Sequence, residues 1–335
     1  MRVISSQWRG VSKGVFYIAL CAMPFALCST VWAQQVKKFP RIGFLGSGTV
    51  SSMASRTQSF KQGLRELGYV EGQNILVDYR FAEGNDHRFP ELAAELVRLK
   101  PDVIVTSGSP GIRALMKATH TIPIVMAAIG DAVGSGFVKS LAQPGGNVTG
   151  LSFLDPDLST KRLEILKEAL PRVVRVAVLR YGGSGNQSLD ATLAASRLLK
   201  LQLQVLEVRA AGEFDGAFLS AKKAGAEAIH IMASSILFAH RKRLVELSAQ
   251  HRLAGIYENK EFVEAGGLMS YGANLDDLFR RAAVYIDKIV KGVSPGDLPV
   301  EQPTKFEFFI NLKTAKQIGL TIPPNVLARA DKVIK

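Results

Sequence analysis

Beyond residue 33 the 335-residue chain contains no cysteine, because Cys21 and Cys28 both fall in the first thirty-three residues. With that segment removed, disulfides contribute nothing and the fold must be held by its apolar core. Acid is also in short supply, with 29 Asp and Glu against 42 Lys and Arg, for a formal charge of +13. The cations are dispersed, however, and their densest run is only His240-Arg241-Lys242-Arg243. No aromatic-plus-basic stripe accompanies them, so they read as solvated helix faces and no nucleic-acid partner is expected.

Catalytic and cofactor signatures are equally sparse. No Gly-x-x-x-x-Gly-Lys-Ser/Thr occurs, which argues against ATP chemistry in this chain. Gly46-Ser47-Gly48 opens like a dinucleotide fingerprint, with Asp78 further on, but Ser51 stands where the third glycine belongs. Gly182-Gly-Ser-Gly185 approaches a nucleophile elbow, with Asn186 in place of its closing glycine. The five histidines, His87, His120, His230, His240 and His251, show no metal-ligand spacing, and His230 lies in an apolar run that reads as core. Asp276-Asp277 sits at a helix start, where negative charge suits the dipole. No catalytic residue, metal or cofactor is expected.

What is present begins with a leader. Arg2, Arg9 and Lys13 precede the apolar stretch Val15–Leu27, and Val31-Trp32-Ala33 supplies small residues at the −3 and −1 positions. This is the three-part pattern of a secretory signal, residues 1–33, cleaved after Ala33. The apolar stretch is short for a membrane span, which needs roughly 20 residues. Each cysteine follows a leucine, not the small residue a lipid-acceptor site requires. The expected product is therefore a free periplasmic protein with no membrane insertion. Because the leader holds three cations and no acid, the formal +13 falls to +10 on cleavage.

The remaining residues alternate. Arg41-Ile-Gly-Phe-Leu-Gly46 reads as a buried strand and Met53–Gly68 as an amphipathic helix over it. Strand Asn74–Phe81, helix Phe89–Leu99, strand Asp102–Thr106, helix Ile112–Thr119 and strand Ile122–Met126 follow. Gly130–Gly136 is expected to open another short helix, and Asn147–Ser152 is a strand. The rhythm then restarts with helix Ser159–Ala169, strand Val174–Leu179, helix Ser188–Leu201, strand Gln204–Val208 and helix Phe214–Ala224. It continues with strand Ala228–Met232, helix Ile236–His251 and strand Ala254–Tyr257. Gly267–Gly272 reads as a strand, Leu275–Lys291 as a long amphipathic helix, Leu298–Ile310 as extended, and Thr314–Gly319 as a last short helix. Alternation of this kind, begun twice, predicts an α/β architecture of two similar halves with parallel sheets. Too few elements remain for a third domain, so the chain must cross between the lobes more than once.

Folds of this type bind small ligands at the carboxyl ends of their strands. The residues falling there are Ser47, Gly48, Ser107, Gly108, Ser109, Asp131, Ser152, Tyr181, Asn186, Ser234, Ser235, Tyr257, Glu258 and Tyr271. Thr106-Ser-Gly-Ser-Pro-Gly111 is the sharpest candidate, since small residues let backbone N–H groups approach a carboxylate at a helix N-terminus. Tyr181, Tyr257 and Tyr271 are candidates for a flat wall with a polar tip.

Several stretches together carry a resemblance: Phe60–Asn74, Pro101-Asp-Val-Ile-Val105, Pro144-Gly-Gly-Asn-Val-Thr-Gly150, Gly266–Gly272, Leu298-Pro-Val-Glu-Gln-Pro303 and Ile310–Ala315. The chain resembles the ABC-transporter substrate-binding proteins of the type I periplasmic binding fold, in the branch containing tryptophan-binding-like lipoproteins. That resemblance implies two Rossmann-like lobes with parallel sheets joined by a three-strand hinge, with 40–150 plus 267–296 in one lobe and 151–266 plus 297–335 in the other. It implies a monomer that closes on a small, amino-acid-like or carboxylate-bearing molecule and presents it to the transmembrane permease subunits. All but Tyr181 of the fourteen residues named above map, by the resemblance, onto the binding loops. An exported two-lobed enzyme, a dehydrogenase or hydrolase, and a ligand sensor for a signalling receptor are the alternatives the residues leave open.

Overall fold

Val103–Ser107 is buried along its whole length, so this strand must be covered on both faces. It lies inside the first of two sheets in the computed structural model, which describes residues 39–153, 155–182 and 186–335. The expected leader and its cleavage site lie outside the described residues, as does the Gly183–Gly185 part of the elbow-like motif. Residues 39–335 form a single compact unit.

The first half of the chain runs β1 (Arg41–Gly46), α1 (Ala54–Glu66), β2 (Leu76–Phe81), α2 (Phe89–Arg98), β3 (Val103–Ser107), α3 (Ser109–Ala118), β4 (Ile124–Ile129) and β5 (Val148–Ser152). Its five strands are ordered β2-β1-β3-β4-β5 and all pair in parallel. The second half runs α4 (Asp155–Ala169), β6 (Arg175–Tyr181), α5 (Asn186–Leu198), β7 (Gln202–Val208), α6 (Phe214–Lys223), β8 (Ala228–Ile231), α7 (Ser235–Ala239), α8 (Arg241–Gln250), β9 (Ala254–Tyr257), α9 (Lys260–Glu264) and β10 (Met269–Ala273). After it come α10 (Leu275–Val290), β11 (Phe306–Asn311), α11 (Leu312–Gln317), α12 (Pro324–Leu327) and β12 (Lys332–Ile334). The second sheet has seven strands in the order β12-β11-β10-β9-β8-β6-β7.

Each sheet separates two apolar layers. On the first, Phe44, Phe60, Leu64, Phe279, Ala282 and Ile286 form one layer, and Leu45, Phe89, Leu96, Ile112 and Met126 the other. The layer under α10 follows from its pattern, since Leu278, Phe279, Ala282, Ala283, Ile286 and Ile289 recur at helical spacing and are buried. There α1 and α10 approach so closely that a Cβ on Gly63 would stand 2.1 Å from the Arg280 carbonyl oxygen, which only glycine avoids.

The chain passes between the sheets three times: after β5, between β10 and α10, and between Glu301 and β11. The crossings lie side by side. Ser152 donates its backbone N–H to the Glu301 carbonyl at 2.9 Å, and Asn274 donates its own to the Lys305 carbonyl at 3.0 Å.

Four expectations need correction. The strand near 267–272, grouped by the resemblance with the first lobe, is β10 of the second sheet, while the helix after it packs on the first. The second sheet is not wholly parallel, because β11 runs antiparallel to β10. Gly130–Gly136 forms turns and not a helix: Asp131 Oδ1 accepts from the Gly134 N–H at 2.8 Å, and Gly136 sits at φ +73°. The helix expected over Ile236–His251 breaks at His240 into α7 and α8.

Candidate functional site

The carboxyl ends of both sheets face one another across a cavity of about 390 Å³. From the first lobe come Ser47 after β1, Asp86 after β2, Ser107–Pro110 and Arg113 around the start of α3, and Ile129–Asp131 after β4. From the second come Asp155, Tyr181, Asn186–Ser188, Ala233–Ser235, Phe238 and Glu258. Phe153 lies at the first crossing, with Leu275 and Phe279 of α10 behind the cavity.

The start of α3 can donate hydrogen bonds to an anion. Gly108 precedes the helix at φ 76°, ψ 147°, a conformation open in practice to glycine alone, and the turn brings the positive end of α3 to the cavity lining. Arg113, one turn into α3, also lines the cavity, with its guanidinium 5.1 Å from the Phe137 ring centroid. Pro110 in the first turn has no N–H to leave unsatisfied.

The lobes touch around the rim. Arg56 of α1 reaches the second lobe, pairing with Glu261 at 3.4 Å and lying 4.0 Å over the Phe238 ring. A Cβ on Gly84 would be 3.0 Å from Ala239 Cβ, and one on Gly108 would be 3.5 Å from Ser235 Cβ. Gly134 likewise approaches the Gln187 side chain.

Beneath the second-lobe wall lies a buried polar cluster. Arg162 donates to Asp155 Oδ1 at 3.1 Å and to the Tyr271 carbonyl at 2.7 Å, and Ser188 donates to Asp155 Oδ2 at 2.6 Å. Burial pushes the Glu258 carboxyl up to about 7; Arg162 and Arg56 oppose the rise, and Asp155 and Glu261 add to it. Burial also raises Asp86 to about 6, against the opposing charge of His87.

Ten of the fourteen residues expected from strand ends line this cavity: Ser47, Ser107, Gly108, Ser109, Asp131, Tyr181, Asn186, Ser234, Ser235 and Glu258. Four do not. Gly48 falls just past Ser47, away from the lining. Ser152 is buried beneath the 131–136 turns, its Oγ accepting from the Ala132 N–H at 3.4 Å. Tyr257 points into the second-lobe core, stacked on Phe262 at 4.8 Å with its hydroxyl donating to Ser248. Tyr271 packs against Phe306 and Phe308 of β11. Strand alternation sends these tyrosines away from the cavity.

Strand-end reasoning passes over Arg56, Asp86, Arg113, Asp155, Phe153 and Phe238. One signal was available: Arg56 falls on the apolar face of its helix, in register with the buried Phe60, Gly63 and Leu64. Among the described residues, no group of three or more His, Cys, Asp or Glu could hold a metal ion, and no helix is long and apolar enough to cross a membrane.

The sequence profile of the family described as ABC transporter substrate binding protein matches residues 49–334. A tyrosine-binding protein of Clostridioides difficile is 26% identical over 287 residues, spanning 85% of this chain and 82% of that protein. The ABC domain of a Streptococcus pneumonia protein, solved in complex with L-Trp, is 27% identical, with a TM-score of 0.83 over 88% of this chain and all of that one. A leucine-binding protein of Thermotoga maritima shares the fold at 14% identity, with a TM-score of 0.58 over 83% of this chain and 87% of that one. The chain belongs to the ABC transporter substrate-binding family and has the two-lobed type I periplasmic binding fold.

Proposed function

From that membership and the geometry of the cavity, we propose that the protein is an extracytoplasmic receptor that captures a small amino-acid-like solute between its lobes and hands it to an ABC importer. The observation that carries this reading is the cavity itself, walled by both lobes at the carboxyl ends of both sheets. Its volume of about 390 Å³ lies within the roughly 300–1,000 Å³ of small-molecule pockets. The start of α3 with Arg113 offers donors to a carboxylate, and Phe153, Phe238 and Tyr181 offer apolar surface to a side chain.

A ligand held by both lobes stabilises the closed state over the open one, and that difference in affinity drives closure. The closed form then presents one continuous surface to the permease. The protein binds and releases its solute unchanged. Residues 1–33 direct export and are cleaved after Ala33, leaving a free monomer in the periplasm. Because one relative is a tyrosine-binding protein and another was solved with L-Trp, aromatic amino acids are the first solutes to try.

The test is a thermal-shift and calorimetric screen of protein unfolded and refolded to strip any carried ligand, against amino acids, aromatic acids, sugars, purines and dicarboxylates. A solute at about 100 times its Kd adds roughly 2.7 kcal/mol, several degrees of melting temperature. A saturable response to one chemical class supports the receptor. Silence across the panel, with a response to NAD(P) or turnover of an ester, would replace it with an enzyme.

A further inference from the structure

We propose that the solute carries a protonated amine and that Asp86, on the turn after β2, is the side chain that receives it. This inference rests on the receptor reading of the same cavity and names the chemistry its ligand must have.

Asp86 lines the cavity, and its Oδ1 is buried with no hydrogen-bond partner. Among the described residues, no lysine or arginine forms an ion pair with it. Its neighbours do not supply what it lacks. Asn85 spends its side chain accepting from the His87 N–H, and Arg88 turns outward to Glu83 at 2.5 Å. Tyr181 of β6 faces Asp86 across the cavity closely enough for the carboxylate to raise the phenol, after the larger effect of burial.

Two of the other lining carboxylates are already served, and the third stands near two guanidinium groups. Asp155 is held by Arg162 and Ser188, and Asp131 by the Gly134 N–H. Glu258 lies in the field of Arg162 and Arg56. On the positive side, Arg56 pairs with Glu261 and lies over Phe238, with its buried Nε left without a partner, while Arg113 stands by the start of α3. That leaves a first-lobe carboxylate with no ion-pair partner and no hydrogen bond at Oδ1, only the field of the adjacent His87, and a first-lobe guanidinium beside a helix N-terminus. A zwitterion completes both, with its carboxylate at α3 and its ammonium at Asp86. A carboxylate buried without a counter-charge is driven towards its neutral form, as the raised Asp86 carboxyl shows, and a ligand ammonium supplies that charge.

The experiment measures binding to wild type and Asp86→Asn of three matched sets. These are L-amino acids (aromatic and aliphatic), their des-amino acids such as 3-phenylpropionate and indole-3-propionate, and their amines such as tyramine and tryptamine. Wild type is expected to bind an amino acid about 100-fold more tightly than its des-amino counterpart. Asp86→Asn should weaken the amino acid by about 10- to 100-fold and erase most of that preference, because a charge-assisted bond is replaced by a neutral one. Equal affinity for the des-amino acid, an undiminished preference in Asp86→Asn, or selective binding of a neutral sugar would overturn the assignment and leave the receptor standing. Failure of wild type to bind any solute of this panel or the wider one would remove both. Should the variant fold poorly, the wild-type preference tests the ammonium requirement and Asp86→Ser tests the residue.

Discussion

Arg162 and Asp155, two turns apart on α4, form a buried ion pair at 3.1 Å directly behind the cavity wall, and the same guanidinium donates to the Tyr271 carbonyl on β10. One side chain thus ties together the helix that begins the second lobe and the strand that precedes the second crossing to the first. Breaking a buried pair by removing one partner leaves a charge without compensation.

Arg162→Met is therefore expected to destabilise the protein by about 3–5 kcal/mol. Asp155→Leu added to it should recover much of the loss, since the pair is then replaced by apolar side chains. Chemical denaturation of the two variants checks this. A loss under about 1 kcal/mol for the single variant would show that the pair contributes little.

Stability should respond to pH through groups of opposite sense. Burial, with Arg162 adding to it, lowers His230 from 6.5 to about 3. Between those values the unfolded chain takes up a proton that the fold refuses, so stability falls as pH drops. Glu258 is raised from 4.5 to about 7, so the fold keeps a proton that the unfolded chain has released. Stability therefore falls as pH rises through that window, and Asp86, raised to about 6, acts in the same sense. From about pH 4.5 to 6.5 the slopes oppose, each reaching at most about 1.4 kcal/mol per pH unit. Up to about pH 6, Glu258 and Asp86 together outweigh His230, so Glu258→Gln should flatten the profile there, and His230→Leu should steepen the fall of stability with rising pH. Denaturant midpoints measured from pH 4.5 to 7 decide it, and profiles parallel to wild type would refute the assignment.

Ser107 is buried at the end of β3, at the floor of the cavity. Ser107→Trp should fill the space meant for solute and abolish the saturable thermal shift of roughly 2.7 kcal/mol at 100 times Kd. The melting temperature of the unliganded protein should change little. Retained affinity would take this loop out of the site.

The close approach of Gly84 to Ala239 allows the lobes to be locked. With no cysteine beyond residue 28, Gly84→Cys with Ala239→Cys would introduce a single pair. A Cβ at Gly84 would lie 3.0 Å from that of Ala239, near the roughly 3.5–4.5 Å of a disulfide. Oxidation in the presence of solute should trap it, and reduction should release it. Exchange at the same rate in both redox states would show that this contact does not control closure.

Much of this molecule could be read from the chain alone, because the signals are local. Buried strands such as Val103–Ser107 announce themselves by unbroken apolar composition, and helices such as α10 by their 3.6-residue period. Strand-end loops are local too, which is why Ser107, Gly108, Ser109, Asp131 and Glu258 could be named before any coordinates. Tertiary structure decided what local pattern leaves free. Whether β10 joins the first or second sheet depends on partners distant in sequence, and its antiparallel pairing with β11 brings 269–273 against 306–310. Tyr257 and Tyr271 have the composition of a binding wall, yet the alternation of side chains along their strands turns them to core and sheet neighbours. Arg56 and Phe238 reach the cavity from helices, and Asp86 resembles an ordinary turn residue until β6 of the other lobe is placed opposite it. A sequence fixes the kind of surface each element carries. Which surfaces meet, and which charges are left without partners, depends on how the two sheets pack.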